Sequence, residues 1–159
     1  MNPQVIRDLK YSPSFVAEIL YSFIQGARRV DERGAKFELI YLVVPFVMDD
    51  VLRAKLNRSN VSSTFQTAFL KDDEIKERLF LINDKVQYSK SVTNCGIIYL
   101  SSICEIIINS FILNGNDLEE ISITNDYKKE FIKASYNLGI IFSKEGYVNV
   151  LLKSKVTNI

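Results

Sequence analysis

The feature that most limits how this chain can fold is an apolar block over residues 37–48, which holds one charged side chain and a proline at position 45. A run that is apolar on nearly every side belongs either to a central helix or to a buried strand. Its length favours a helix, and because Pro45 lacks an amide hydrogen, we expect that helix to bend or end there. The block is shorter than the roughly 20 residues that cross a bilayer, so we expect no transmembrane segment.

Composition narrows the classes of protein that fit. A chain of 159 residues can bury roughly 70% of the surface that its unfolded form exposes, which predicts a single domain over residues 1–159. With 20 basic and 19 acidic side chains, the chain has no strong field to attract nucleic acid, so such binding would need a local basic patch. Residues 1–8 lack the basic and apolar regions of a signal peptide, which predicts a cytoplasmic location.

Several kinds of catalytic and binding site have no counterpart in the sequence. Without histidine, the chain has no Ser–His or Cys–His pair and no HExxH zinc motif. Its six glycines are isolated and form no phosphate-binding loop. Cys95 and Cys104 lack the spacing of metal or redox sites, and we expect both to be small core residues. We therefore predict a protein that is not an enzyme and that has no catalytic residue, cofactor or metal.

Apolar periodicity predicts helices in the first half of the chain. Ser12 and Pro13 mark the start of a helix whose apolar stripe advances by four residues and ends near residue 29 or 30. Asp49 or Asp50 is expected to begin a short helix, and Ser62 or Ser63 to cap a brief one. The outward side of the helix after Asp50 is predicted to carry Arg53, Lys55 and Arg58.

The second half is predicted to combine two long helices with a β-hairpin. One main helix runs from Asp72 through Ile97, and another runs from Thr124 or Asn125 to near Gly146. Between them, residues 103–113 are rich in β-branched side chains and are expected to form one strand that pairs back with residues 119–123. The predicted fold class is mainly α: a single-domain helical bundle with a small β-hairpin and a winged-helix-like C-terminal half.

The charged clusters allow a structural or a binding interpretation. The pair Asp49–Asp50 and the acidic residues 72–74 are of the type that binds Mg²⁺, but both stand at predicted helix starts, where capping explains them. The basic residues fall into two groups, Arg28–Arg29–Arg33 and Arg53–Lys55–Arg58, and a fold that brought the groups together would let them contact phosphates. Nearby acidic side chains dilute the field of these groups, which favours simple solvation.

An ordered set of motifs covers most of the chain: the helix over residues 14–23, Gly34, the pair Val44–Pro45, Arg53, a Ser/Thr-rich stretch at 62–65 and a late segment at 134–139. This order resembles the small middle component of the bacterial three-component ABC systems, the antiphage group that includes Lamassu. The resemblance implies a non-catalytic adaptor. In such systems an SMC-like ABC ATPase senses DNA, an effector that is commonly a nuclease does the damage, and the middle component looks like the bridge between them.

Under this hypothesis the basic residues are candidate contacts to DNA or to an acidic partner surface. They are Arg28, Arg29, Arg53, Lys55 and Arg58. Two other classes stay open. One is a free-standing DNA-binding regulator in which a helix and a hairpin at 103–123 form a winged-helix unit, and the other is a small hydrolase that uses Ser or Asp without His.

Overall fold

A computed structural model describes the protein over residues 2–118 and 125–159. The described residues form eight α-helices and a three-stranded antiparallel sheet, which confirms the mainly α class with a small amount of β structure. The helices are α1 (Pro3–Lys10), α2 (Pro13–Arg28), α3 (Ile40–Met48), α4 (Asp50–Asn57), α5 (Asp73–Phe80), α6 (Ile82–Ile103), α7 (Asp126–Glu145) and α8 (Tyr147–Ser154). The strands are β1 (Ala35–Lys36), β2 (Ile106–Ile108) and β3 (Phe111–Asn114).

The core is built around α2 and α3. Helix α2 packs against α6 and α7, and α3 packs against α6 and α4. The predicted buried helix over residues 37–48 is confirmed, with a 3₁₀ turn at Phe37–Leu39 in front of α3. The helix does not end at Pro45, which was one of the two outcomes expected there, because α3 continues to Met48. The three helix residues after the proline, Phe46, Val47 and Met48, are buried. The free energy gained by their burial outweighs the roughly 1 kcal/mol lost with one backbone hydrogen bond.

Small residues let α2 and α7 approach closely. A Cβ atom on Gly139 would lie 2.2 Å from the carbonyl oxygen of Phe23, and one on Gly26 would lie 2.0 Å from that of Tyr136. Two buried hydroxyls also join the helices: Ser22 Oγ donates to the Ile132 carbonyl at 2.8 Å, and Ser135 donates to a carbonyl of α2. The α2–α7 contact is therefore a backbone-to-backbone one at which no larger side chain fits.

A cluster of phenylalanines closes the core on the α4 side. The ring of Phe46 lies 5.3 Å from that of Phe69 and 5.2 Å from that of Phe142, both in edge-to-face geometry. Phe65 joins the same cluster 5.0 Å from Phe69. The brief helix predicted after Ser62 or Ser63 is a π-helical turn at Gln66–Leu70. Phe69 lies within this turn and Phe65 directly precedes it, and both side chains are buried in the core.

The predicted main helix is two helices. A turn at Leu81 separates α5 from α6, and no proline or glycine marks that turn in the sequence. Arg78 on α5 and Lys85 on α6 both lie within ion-pair distance of Asp49, so one carboxylate contacts the helices on both sides of the break. Helix α6 then runs to Ile103, beyond the last periodic residue that the sequence pattern identified.

The predicted single strand at 103–113 is also divided. It contains the end of α6, strand β2, a turn at Asn109 and Ser110, and strand β3. The Asn109 side chain accepts from the Phe111 amide at 2.8 Å, which is the local turn chemistry that interrupts the run of isoleucines. The predicted partner strand at 119–123 lies outside the described residues. In the sheet, β3 is central and pairs with β1 on its other side.

Several helix boundaries agree with the prediction. Ser12 and Asp49 accept from amides in the first turns of α2 and α4. Asn125 caps α7, which ends at Gly146 with φ +84°. Helices α1 and α8 lie where no element was predicted.

Candidate partner-binding surface

Arg53 is buried, which contradicts the prediction that it points outward from α4. Its side chain is 11% exposed, and its guanidinium donates to Asp50 Oδ1 at 2.7 Å and to the Val47 carbonyl at 3.2 Å. The guanidinium carbon lies 4.1 Å from the centre of the Phe131 ring, within cation–π distance. Glu130 lies 3.9 Å from the same group. With its donors facing α3, α4 and α7, Arg53 is engaged within the fold.

Arg28 is also engaged within the chain. Its guanidinium donates to the Asn114 side-chain oxygen at 2.9 Å and lies 3.6 Å from the Asp117 carboxylate. Asn114 is buried and also accepts from Gln25. This cluster fastens the end of α2 to the end of β3.

The other predicted basic contacts are more accessible. Arg29 and Arg58 are exposed, and Lys55 is half-buried. Arg29 donates to the Tyr136 hydroxyl at 3.4 Å from the end of α2, whereas the other two lie at the end of α4. Among the described residues, no hydrogen bond or ion pair links the group at 28–29 to the group at 53–58.

Asp49 is a helix cap with two cationic neighbours. Its Oδ1 accepts from the amides of Val51 and Leu52, and its Oδ2 lies 2.7 Å from Lys85 Nζ and 3.7 Å from Arg78. Burial acts to raise the pKa of this carboxyl, but the bonds from Lys85 and Leu52 and the nearby positive charges outweigh it and hold the pKa below its usual value. The capping interpretation of the Asp49–Asp50 pair accounts for these contacts.

The described residues offer neither a metal site nor a membrane-spanning helix. Within 2–118 and 125–159, no three His, Cys, Asp or Glu side chains lie close enough together to hold a metal ion. Each helix in those ranges is too short or too polar to traverse a bilayer. Of the two cysteines, Cys104 is buried as predicted and burial raises its pKa, but Cys95 is exposed.

Cys95 belongs to an uncharged stripe on the outer side of α6. The stripe consists of exposed residues spaced three and four apart, which places them on one face of the helix. Its members are Tyr88, Ser91, Cys95, Ile98, Tyr99 and Ser102. Tyr88 is 86% exposed and Ile98 is 68% exposed. From Ser91 to Cys104 the sequence holds no charged residue, so this α6 stripe combines large apolar side chains with small polar ones.

Exposed apolar side chains occur again in β2, beyond the charged and exposed Glu105. Two residues separate α6 from this strand, whose side chains Ile107 and Ile108 are 41% and 47% exposed. The sequence pattern assigned this region to a strand, but it did not show which side of α6 or β2 meets solvent. The absence of charge over residues 91–104 in a 22-residue helix is the signal that identifies the surface.

A second set of exposed apolar residues lies on α1. This helix has no buried residue, and Val5, Ile6 and Leu9 are 44% to 60% exposed. Together with α3, α5 and α6 it borders an open cleft of about 1080 Å³. Lys10 spans the cleft by donating to the Met48 carbonyl at 3.3 Å.

Comparisons with known proteins address the family of the chain. Searches of curated proteins and of solved structures return no match. The family model described as "ABC-three component (ABC-3C) system Middle Component 3" matches residues 3–156. That match extends from α1 past the end of α8 and includes the helices that carry both exposed apolar sets. The chain therefore belongs to the Middle Component 3 family of ABC-three component systems.

Proposed function

We propose that the protein is a non-catalytic adaptor subunit that joins an SMC-like ABC ATPase to an effector, of the nuclease type, in a Lamassu-type antiphage or anti-plasmid defence complex. Membership of a family of system components supports this proposal. The observation that carries it is the α6 stripe, since a helix of 22 residues presents Tyr88, Ile98 and Tyr99 to solvent beside a charge-free sequence.

The composition of the stripe suits the centre of a protein interface. Interface cores are depleted in charged residues and enriched in tyrosine, and contiguous apolar patches on soluble proteins often mark such sites. Burying the stripe removes apolar area from water at a gain of roughly 25 cal/mol per Å² and strips no charged group of its hydration. The α6 stripe can therefore be covered by a partner at little electrostatic cost.

An adaptor needs a second surface for its second partner. Val5, Ile6 and Leu9 on α1 supply another exposed apolar set, which adjoins the cleft beneath that helix. We assign the two sets to two different protein partners. Of the basic residues considered for DNA contact, Arg29 and Arg58 keep exposed side chains, so any contact of this chain with DNA within the complex is proposed for those two.

The proposal is tested by tagging the ATPase of the system at its native locus and measuring how much effector co-purifies with it, with and without this chain. An adaptor predicts that the effector is recovered only when the chain is present, and that phage protection is lost with it. Recovery of the effector in its absence would contradict the proposal. Tight, salt-sensitive binding of duplex DNA by the isolated chain would instead favour the winged-helix regulator.

A further inference from the structure

The outer edge of β2 carries backbone groups that the sheet leaves unused. In the antiparallel pair of β2 and β3, the Gly115 amide donates to the Glu105 carbonyl at 2.8 Å and the Asn109 amide donates to the Phe111 carbonyl at 2.9 Å. In an antiparallel pair of strands, residues that hydrogen-bond to the partner strand alternate with residues that do not, so residues two apart direct their backbone groups to the same side. Ile107 therefore faces β3, whereas the N–H and C=O of Ile106 and Ile108 point away from it.

Strand β2 itself contains no lysine, proline or bulge, three of the features that keep edge strands from pairing. Natural edge strands are protected by lysine, proline, bulges or extreme shortness. The opposite edge of the sheet follows that rule, since β1 has two residues and one of them is Lys36. Strand β2 is three isoleucines in regular register with β3, and among the described residues no further strand lies beyond it.

We propose that β2 binds an extended segment of a partner protein as a fourth strand of the sheet. This proposal rests on the adaptor function proposed above. The amides and carbonyls of Ile106 and Ile108 would form the ladder with that segment, the mode of recognition known as β-augmentation. The exposed side chains of Ile107 and Ile108 would pack against its apolar residues.

The charge of the surroundings defines the chemistry of that segment. The exposed Glu105 directly precedes the three isoleucines of β2, and an acidic side chain placed opposite it would be repelled. The segment is therefore expected to carry no acidic side chain beside Glu105 and to be rich in β-branched or aromatic residues over about three to five positions. The adaptor function requires that the segment come from a different protein. A second copy of this chain is the competing occupant.

The test compares two substitutions at one edge residue in the full-length chain. Ile108→Pro removes an N–H that points away from β3, so the β2–β3 ladder is expected to survive, but the ladder to an added strand loses a donor. Ile108→Val keeps that donor and the β-branched shape. Both variants are expected to keep the circular dichroism spectrum and the unfolding midpoint of the wild type. We expect Ile108→Pro to weaken assembly with the ATPase and effector at least tenfold, and Ile108→Val to weaken it by less than threefold.

Amide hydrogen exchange provides the second readout. In the isolated chain the amides of Ile106 and Ile108 are expected to exchange at least tenfold faster than that of Ile107, and to slow at least tenfold in the complex. Normal assembly of the Ile108→Pro variant would overturn strand addition while leaving the adaptor function standing. Slow exchange at both positions in the isolated chain, whether light scattering shows it to be a monomer or a dimer, would overturn it as well, because the edge would already be occupied. Failure of the wild-type chain to assemble would overturn both proposals.

Discussion

The guanidinium carbon of Arg53 lies 4.1 Å from the centre of the Phe131 ring, so a cation on α4 packs against an aromatic residue on α7. Lys10 Nζ lies 5.5 Å from the centre of that ring, and its carbonyl contact is on α3. Three parts of the chain that are far apart in sequence thus meet at Phe131. Arg53, which was predicted to face solvent, contacts α3, α4 and α7 instead.

We predict that Arg53→Ala lowers the free energy of unfolding by about 2–3 kcal/mol, because it removes a cation–π contact and leaves the Val47 carbonyl without its donor. Arg58→Ala, a change of the same type at an exposed position near the end of α4, is the matched control and should alter stability by no more than about 0.5 kcal/mol. Urea denaturation followed by circular dichroism measures both. Equal effects of the two substitutions would show that Arg53 is not part of the fold.

Asp49→Asn tests the ionic part of the cap separately from its hydrogen bonds. Asparagine still accepts from the first-turn amides of α4, but it loses the charge that faces Lys85 and Arg78. We expect a loss of about 1–2 kcal/mol at pH 7, and a larger loss for Asp49→Ala, which removes the cap as well. Thermal or urea unfolding of the three chains gives the comparison.

The same substitution predicts a pH dependence. The pKa of Asp49 is lower in the folded chain than in the unfolded one, so the unfolded chain takes up the proton more readily and the stabilisation is lost as the pH falls. This contribution is complete about one pH unit above the ordinary aspartate pKa of about 4, and it is lost progressively as the pH falls toward the lower pKa of the folded chain. The stability difference between wild type and Asp49→Asn should therefore shrink as the pH falls from about 5 to 3. A difference that stayed constant over this range would contradict the assigned pKa direction.

Gly139→Ala is predicted to destabilise the chain by at least about 3 kcal/mol. The added methyl group would lie 2.2 Å from the Phe23 carbonyl oxygen, and neither backbone can move without separating α2 from α7. Gly115→Ala is the control, because its Cβ would meet the end of the flexible Glu105 side chain. Soluble yield and unfolding midpoint should fall for the first variant and change little for the second. A stable Gly139→Ala variant would show that the helices are not in backbone contact.

The parts of the fold that the sequence predicted are those with strong local signals. Ser12, Asp49 and Asn125 identified three helix starts because short polar side chains accept from first-turn amides, and Gly146 marked the end of α7. The division at Leu81 has no such signal. The residues on either side of it, Arg78 and Lys85, contact Asp49, which is more than 20 residues away in sequence.

The candidate surface could be predicted only in part. Periodicity identified a long helix through Ile97, but it did not show that Ile98 and Tyr99 face solvent while Leu100 is buried. Which face of α6 is covered depends on where α2 and α3 pack, and that is a tertiary property. Arg53 was misplaced for the same reason, because its burial depends on contacts with Val47 on α3 and Phe131 on α7.

The measurement that tests the adaptor function most directly compares two substitutions in a complex reconstituted from the chain, the ATPase and the effector of its system. Ile98→Lys places a charge in the α6 stripe, and Leu152→Lys places the same charge at a similarly exposed position on α8 (68% and 70% exposed, respectively). Both variants should fold, because neither side chain is buried. We predict that Ile98→Lys weakens assembly at least tenfold in a quantitative pull-down while Leu152→Lys leaves it within threefold of wild type. Wild-type assembly by Ile98→Lys would contradict the assignment of the α6 stripe as a partner-binding surface.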